Sequence, residues 1–213
     1  MDFWLRRIGV PTMQKLLRAS TLLAATTLAP RALAHQPHEG DIWATVAPGV
    51  METRSNDPRA NDPTATGGIT AEGDVDYNGG VEIAMLYVDK LYARRKGDDA
   101  IVERIKRMYV TTGYRHWFFP SLSFGGAFFS SYSMGDAKVV VDDVAEGHEL
   151  KTTARAITEY GMDFSVQYEL FHVQEVAMTL DARYSLSLPH KSREDADTMG
   201  ILLGCKWRVP KSG

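Results

Sequence analysis

The stretch Ala154–Phe171 reads ARAITEYGMDFSVQYELF. Its even positions are Ala154, Ala156, Thr158, Tyr160, Met162, Phe164, Val166, Tyr168 and Leu170. Its odd positions are Arg155, Ile157, Glu159, Gly161, Asp163, Ser165, Gln167, Glu169 and Phe171. The first set is almost wholly apolar; the second is mostly polar, charged or small. A period of two is that of a β-strand whose two faces meet unlike surroundings.

The same alternation runs outward in both directions. Downstream, Val176, Met178, Leu180, Ala182, Tyr184, Leu186 and Leu188 share one face, against Glu175, Ala177, Thr179, Asp181, Arg183, Ser185 and Ser187. The last segment sets Met199, Ile201, Leu203, Cys205, Trp207 and Val209 against Gly200, Leu202, Gly204, Lys206 and Arg208. Upstream, similar but noisier segments start near Ile42, Ile69, Val81, Met108 and Leu122. Eight strands result. The stretch Val81–Met108 also fits a helix, because Ala84, Met85, Val88 and Leu91 fall on one helical face.

Composition is consistent with this. The chain has 213 residues, of which 44% are hydrophobic and 24% charged. That is enough for one domain with a core, and it excludes a disordered tail or a collagen-like fibre. The single cysteine, Cys205, excludes an intramolecular disulfide. A formal net charge of −3 argues against a nucleic-acid partner. The longest apolar stretch, near the N-terminus, is too short and too interrupted to span as a helix.

That stretch reads as an export signal. Lys15 and Arg18 precede the apolar Ser20–Leu28, and Ala32-Leu33-Ala34 forms a small-x-small cleavage site. Residues 1–34 are therefore expected to be a signal peptide for Sec-type export, with the start placed at Met13. Removing them takes away Asp2 with Arg6, Arg7, Lys15, Arg18 and Arg31, which shifts the formal charge from −3 to −7. Residues 35–40 then form an N-terminal tail, 41–209 the folded body and 210–213 a C-terminal tail.

The connections alternate between long and short. Long ones are expected at Arg54–Gly67, Arg94–Ala100, Met134–Lys151 and Pro189–Asp197; short ones at Asn78–Gly80, Phe119-Pro120 and His172–Gln174. A three-residue turn at Asn78–Gly80 pairs Tyr77 with Val81 and keeps apolar residues on one face. Val139–Val141 and Glu149–Thr153 are expected to project as a hairpin. In the first loop, Asn56-Asp57-Pro58 and Asn61-Asp62-Pro63 read as Asx-Pro turns rather than a calcium site.

Alternation alone does not say which face points inward. A soluble lipocalin-like barrel has an apolar interior; a membrane barrel has the reverse. The apolar sets run over eight to nine positions, about the length that crosses a bilayer with tilt. The opposite sets are rich in Gly, Ala and Ser, which a narrow eight-stranded interior can hold. Tyr77, Phe118, Phe119 and Trp207 gather at the short-turn strand ends, where an aromatic girdle would sit.

On these residues the chain, over roughly Gly40–Val209, resembles the small eight-stranded outer-membrane β-barrel proteins of the OmpX type and the OmpA transmembrane-domain type. The resemblance implies an all-β, antiparallel, up-and-down transmembrane barrel in the outer membrane of a Gram-negative bacterium. It implies contact with outer-membrane lipid and lipopolysaccharide, surface-exposed loops, and a role in envelope integrity or surface interaction. The closing segment Leu202-x-Gly204-x-x-Trp207-x-Val209 resembles the C-terminal signal read by the barrel-assembly machinery, although Leu202 replaces the usual polar residue.

Two residue sets follow. Expected in a polar, plugged lumen are Glu72, Asp74, Asp76, Glu82, Arg107, Arg115, Arg155, Glu159, Asp163, Glu169, Asp181, Arg183, Lys206 and Arg208. Expected toward lipid are Tyr160, Met162, Phe164, Val166, Tyr168, Leu170, Met178, Leu180, Tyr184 and Leu186. His190-Lys191-Ser192 matches the first part of the lipid A deacylase motif, but no Asn follows Ser192 and Gly204 stands where a Glu is needed. The expectation is a non-enzymatic barrel, with a lipid-modifying enzyme or a soluble ligand-binding barrel as alternatives. No histidine pair or triad has metal-ligand spacing, so no metal or cofactor is expected.

Overall fold

A computed structural model describes residues 35–55, 58–146, 150, 156–188 and 196–211. The expected signal peptide, Arg155, His190 and Ser192 lie outside them.

Nine strands occur among the described residues: β1 Ile42–Arg54, β2 Pro63–Asp74, β3 Gly79–Lys96, β4 Asp99–Phe119, β5 Leu122–Ser133, β6 Lys138–Asp143, β7 Glu159–Val173, β8 Val176–Ser187 and β9 Asp197–Arg208. Eight of them close a barrel in the order β1-β2-β3-β4-β5-β7-β8-β9, with β9 returning to β1. Every pairing is antiparallel. Closure leaves these staves no free sheet edge along the shared wall. The Val81–Met108 stretch is strand, not helix: its apolar residues alternate within two long strands that pair from Gly79↔His116 to Lys96↔Asp99.

Three connections lie at one end: 75–78, Pro120-Ser121 and Gln174-Glu175. The N-terminal tail and the end of β9 lie at that same short-turn end. The opposite end holds Arg54 at the close of β1, Ser133 at the close of β5 and Ser187 at the close of β8, together with a tight turn at Gly97-Asp98. The expected long loop at Arg94–Ala100 is thus replaced by strand on both sides of two turn residues. Gly97 makes the reversal with φ at 64°, a region open to glycine.

Beyond Val88 and Arg107, β3 and β4 leave their barrel partners and continue as a hairpin of eight further pairs. At about 3.3 Å per residue this extends about 26 Å. The expected hairpin joins Val139–Val141 to Glu149–Thr153, and of that second arm all but Leu150 lies outside the described residues. Val139 and Val141 lie in β6, which pairs with the outer part of β4. Val141 there joins Ala60, Leu91, Ala93 and Val102 in a small apolar cluster.

Two register details differ from the sequence reading. Val81 pairs with Gly73, not Tyr77. The shift of four is even, so the facing is unchanged, and Val75–Asn78 form a four-residue loop that Asn78 N–H closes onto Asp76 Oδ1 at 2.7 Å. In β7 the pairing with β8 slips between Glu169 and Phe171. This bulge reverses the alternation, so Phe171 turns outward instead of staying with Glu169.

Candidate functional site

The barrel wall is apolar outside and charged inside. Outward-facing side chains include Val46, Ile69, Ile83, Phe128, Val166, Leu180 and Ile201, each 40–70% exposed. Of the set expected to face lipid, Tyr160, Val166, Leu180, Tyr184 and Leu186 are exposed on this outer face. Met162, Phe164, Tyr168, Leu170 and Met178 are half-exposed on the same wall. Tyr77, Phe118, Phe119, Phe171 and Trp207 ring its short-turn end.

The interior is layered along the barrel axis. At the short-turn end Lys206 Nζ donates to Glu72 Oε2 at 2.7 Å and lies 3.9 Å from Glu169 Oε1. Its ammonium also stands over the Trp117 and Trp43 rings, 4.6 and 5.2 Å from their centroids. Trp117 Nε1–H donates to Glu72 Oε1 at 2.9 Å.

The middle layer is built on Glu82 of β3. Its Oε2 accepts Arg115 Nε–H at 2.6 Å and its Oε1 accepts Arg183 Nη2–H at 2.8 Å. Arg183 also donates to Asp163 at 3.0 Å and Asp181 at 3.1 Å. Arg115 completes its donors with the hydroxyls of Ser123 and Ser165, at 3.0 and 2.9 Å. Gly125 leaves room for this fork, since a Cβ there would come 2.5 Å from Ser165 Oγ. Pairing on this scale offsets much of the cost of burying these charges.

Above it, Ala47, Met51, Leu86, Val88, Tyr109, Phe129 and Leu202 form an apolar plate inside the barrel. The third charged layer joins Lys90 Nζ to Glu159 Oε2 at 2.9 Å and to Ser187 Oγ at 3.1 Å. Arg107 Nε–H donates to Ser131 Oγ at 2.9 Å, and its Nη2 bonds the carbonyls of Ser131 and Ile157. A space of about 20 Å³ lies among these layers, lined in part by Thr45, Glu82, Gln167 and Arg183. That is room for about one or two waters.

Most of the interior set named from sequence lies inside the barrel, divided among these layers: Glu72, Asp74, Glu82, Arg107, Arg115, Glu159, Asp163, Glu169, Asp181, Arg183 and Lys206. Two members depart. Asp76 is exposed in the 75–78 loop, because β2 ends at Asp74 and the alternation stops there. It accepts the Tyr114 hydroxyl at 3.0 Å. That bond and the Asn78 N–H hold its carboxyl below the usual range. Arg208 sits at the rim, where it reaches Asp41 at 2.8 Å.

Sequence reasoning missed Lys90, Tyr92 and His35. Extending the β3 alternation beyond Tyr87 would have placed Lys90 with Glu82 and Leu86. His35 carried no signal, because only folding brings the tail into the barrel mouth. Gly204, Trp207 and Val209 of the expected assembly signal lie on β9 and just after it. Val209 N–H donates to the Ile42 carbonyl and continues the closing seam.

No protein-family model matches the sequence, and no curated protein matches it. The similarity is to solved structures. The crystal structure of Ail, the attachment invasion locus protein of Yersinia pestis, in complex with the heparin analogue sucrose octasulfate, aligns with a TM-score of 0.50 and 10% identity. It covers 81% of this chain and 100% of that one. The chain has the fold of the small eight-stranded outer-membrane barrels. The crystal structure of the outer membrane protein OprG from Pseudomonas aeruginosa aligns at 12% identity and a TM-score of 0.49, covering 83% of this chain and 99% of that one.

Proposed function

We propose that this chain is an integral β-barrel of a Gram-negative outer membrane, with a plugged lumen and its long-loop end facing outward. One observation carries the reading: large apolar side chains surround the barrel while charged ones fill it. In water this arrangement would expose an apolar belt far larger than soluble monomers tolerate. In lipid it is the favourable one, because closure pairs the backbone and the belt meets acyl chains. A lipocalin-like carrier of an apolar ligand would need the opposite interior.

Export by the Sec route with removal of residues 1–34, and insertion by the barrel-assembly machinery, belong to this proposal. So does its role, surface interaction or envelope integrity rather than solute passage. The three ion-paired layers and the apolar plate support the absence of a pore. The projecting β3–β4 hairpin supports surface interaction. Arg94, Arg95 and Lys96 beside its turn suit the phosphates of lipopolysaccharide.

Membrane fractionation with detergent extraction tests the reading. The protein is expected in the outer-membrane pellet, released only by detergent, and migrating faster on gels before boiling than after. Recovery in the soluble periplasmic fraction would overturn it. Purified protein in planar bilayers should show no stepwise conductance; regular open steps would overturn the plugged lumen.

A further inference from the structure

Three carboxylates are buried at the short-turn end of the interior: Glu72, Asp74 and Glu169. Among the described residues, the cation within this layer is Lys206, which pairs with Glu72 and reaches toward Glu169. Arg115, the nearest guanidinium above, is committed to Glu82. Glu169 is met by the His35 backbone N–H at 2.9 Å and by His172 Nδ1 at 3.3 Å, so Asp74, held through Oδ2 by the neutral N–H groups of His38 and Trp43, is the buried carboxylate of this layer with no Lys or Arg beside it, a costly arrangement unless another cation joins it.

His35 lies among these groups, its side chain wholly buried. Its ring packs against Trp43 and Trp117 at centroid distances of 4.9 and 4.3 Å. Neither of its ring nitrogens has a hydrogen-bond partner, nor does Asp74 Oδ1. His35 Nε2 and Asp74 Oδ1 face each other at 3.8 Å. A direct charged hydrogen bond would close to about 2.8 Å. Two metal–ligand bonds of about 2.1 Å each span the observed gap at a wide angle.

The carboxylates are also aimed. Asp74 Oδ2 accepts both His38 N–H and Trp43 Nε1–H at 3.2 Å, which leaves Oδ1 directed at the imidazole. Glu72 is held by Trp117 and Lys206. One candidate ligand atom from each of His35, Glu72 and Asp74 lies within 4.8 Å of the other two. Outer donors that orient ligands in this way are a regular part of metal sites. A cleft of about 280 Å³, lined by His35, His38, Asn78 and Trp117 among others, gives access from the short-turn end.

We propose that His35, Asp74 and Glu72 form a binding site for a divalent transition-metal ion at the short-turn mouth of the barrel. Imidazole with carboxylate suits zinc, nickel or copper(II), whereas calcium and magnesium favour all-oxygen sets. The site stands on its own geometry and does not depend on the membrane or surface role.

The test is zinc titration of the detergent-solubilised full protein, stripped with EDTA, in a Cys205→Ser background that removes the exposed thiol as a competitor. Competition with a chromophoric chelator should give one zinc per chain. His35→Gln and Asp74→Asn should each weaken binding by about tenfold or more, the scale on which metal sites respond to lost coordination. His116→Ala should leave binding unchanged. Copper(II) should quench tryptophan fluorescence in the parent and not in His35→Gln, because Trp43 and Trp117 flank the ring. Each variant is first checked for the fold by its gel shift on boiling. His35→Gln lies in the tail, outside the strands, so it keeps the test open if Asp74→Asn does not fold. Absence of stoichiometric zinc in the parent, undiminished affinity in folded His35→Gln, or equal affinity for calcium would each overturn the proposal.

Discussion

Glu82→Ala removes the carboxylate that bridges two buried guanidinium groups. Arg183 would keep Asp163 and Asp181 at 3.0 and 3.1 Å. Arg115 would keep only Asp181, at 4.0 Å, and two serine hydroxyls. The cost therefore falls on Arg115, whose side chain has no exposure. Deleting one partner of a buried pair costs about 3–5 kcal/mol. The small space beside Glu82 would grow by the lost side chain and admit water to Arg115, which places the expected loss near the lower end, about 3 kcal/mol. The assay is equilibrium unfolding in urea from lipid vesicles, followed by tryptophan fluorescence and by gel mobility without boiling. Ile83→Leu on the same strand faces outward and should be nearly neutral. An Arg115→Ala partner completes a double-mutant cycle, whose coupling should exceed about 0.5 kcal/mol. A Glu82→Ala barrel within 1 kcal/mol of the parent, or a coupling near zero, would refute the argument that this ion network holds the interior.

Other expected outcomes test separate parts of the structure. Val166→Arg should cost about 2–4 kcal/mol in vesicle folding, because the outer face must desolvate the charge, while Val166→Leu should not. Gly125→Ala should cost about 1–3 kcal/mol by pressing its Cβ on Ser165 Oγ, and Ser165→Gly in the same chain should recover part of it. At Asp41 burial pushes the carboxyl up, but ion pairs to Lys211 and Arg208 outweigh it and hold the group below its ordinary 3.8. This contact stabilises the tail above pH 3.8 and is lost as the pH falls through the lower native value. Protection of residues 35–41 against hydrogen exchange, taken relative to the intrinsic rate at each pH, should therefore fall in acid, and Asp41→Asn should remove that dependence.

Much of the barrel was legible because strand periodicity is a local property. Residues 159–171 announced an apolar and a polar face, and the structure keeps that division as far as the bulge after Glu169. The bulge was not legible, since it depends on how β7 meets β8 rather than on β7 itself. The turn at 75–78 shows the same limit. Parity could be inferred from the faces, but the register was set by where Asp74 is caught, by Trp43 and the tail. At the long-loop end, a stretch read as a loop became hairpin because β6 and Ala60 bury its apolar residues.

The interior shows the division most clearly. Alternation determined which acids and bases share the inner face, since side-chain direction follows from position along a strand. It could not say that Glu82 bridges Arg115 and Arg183, residues 33 and 101 positions away. Pairing of that kind depends on barrel closure and stagger, which are collective. His35 lies further still from what its neighbours in sequence reveal. As part of a short polar tail it is an ordinary histidine. Only the closed barrel gives it two indoles and two carboxylates, because the tail folds into a mouth made by strands far along the chain.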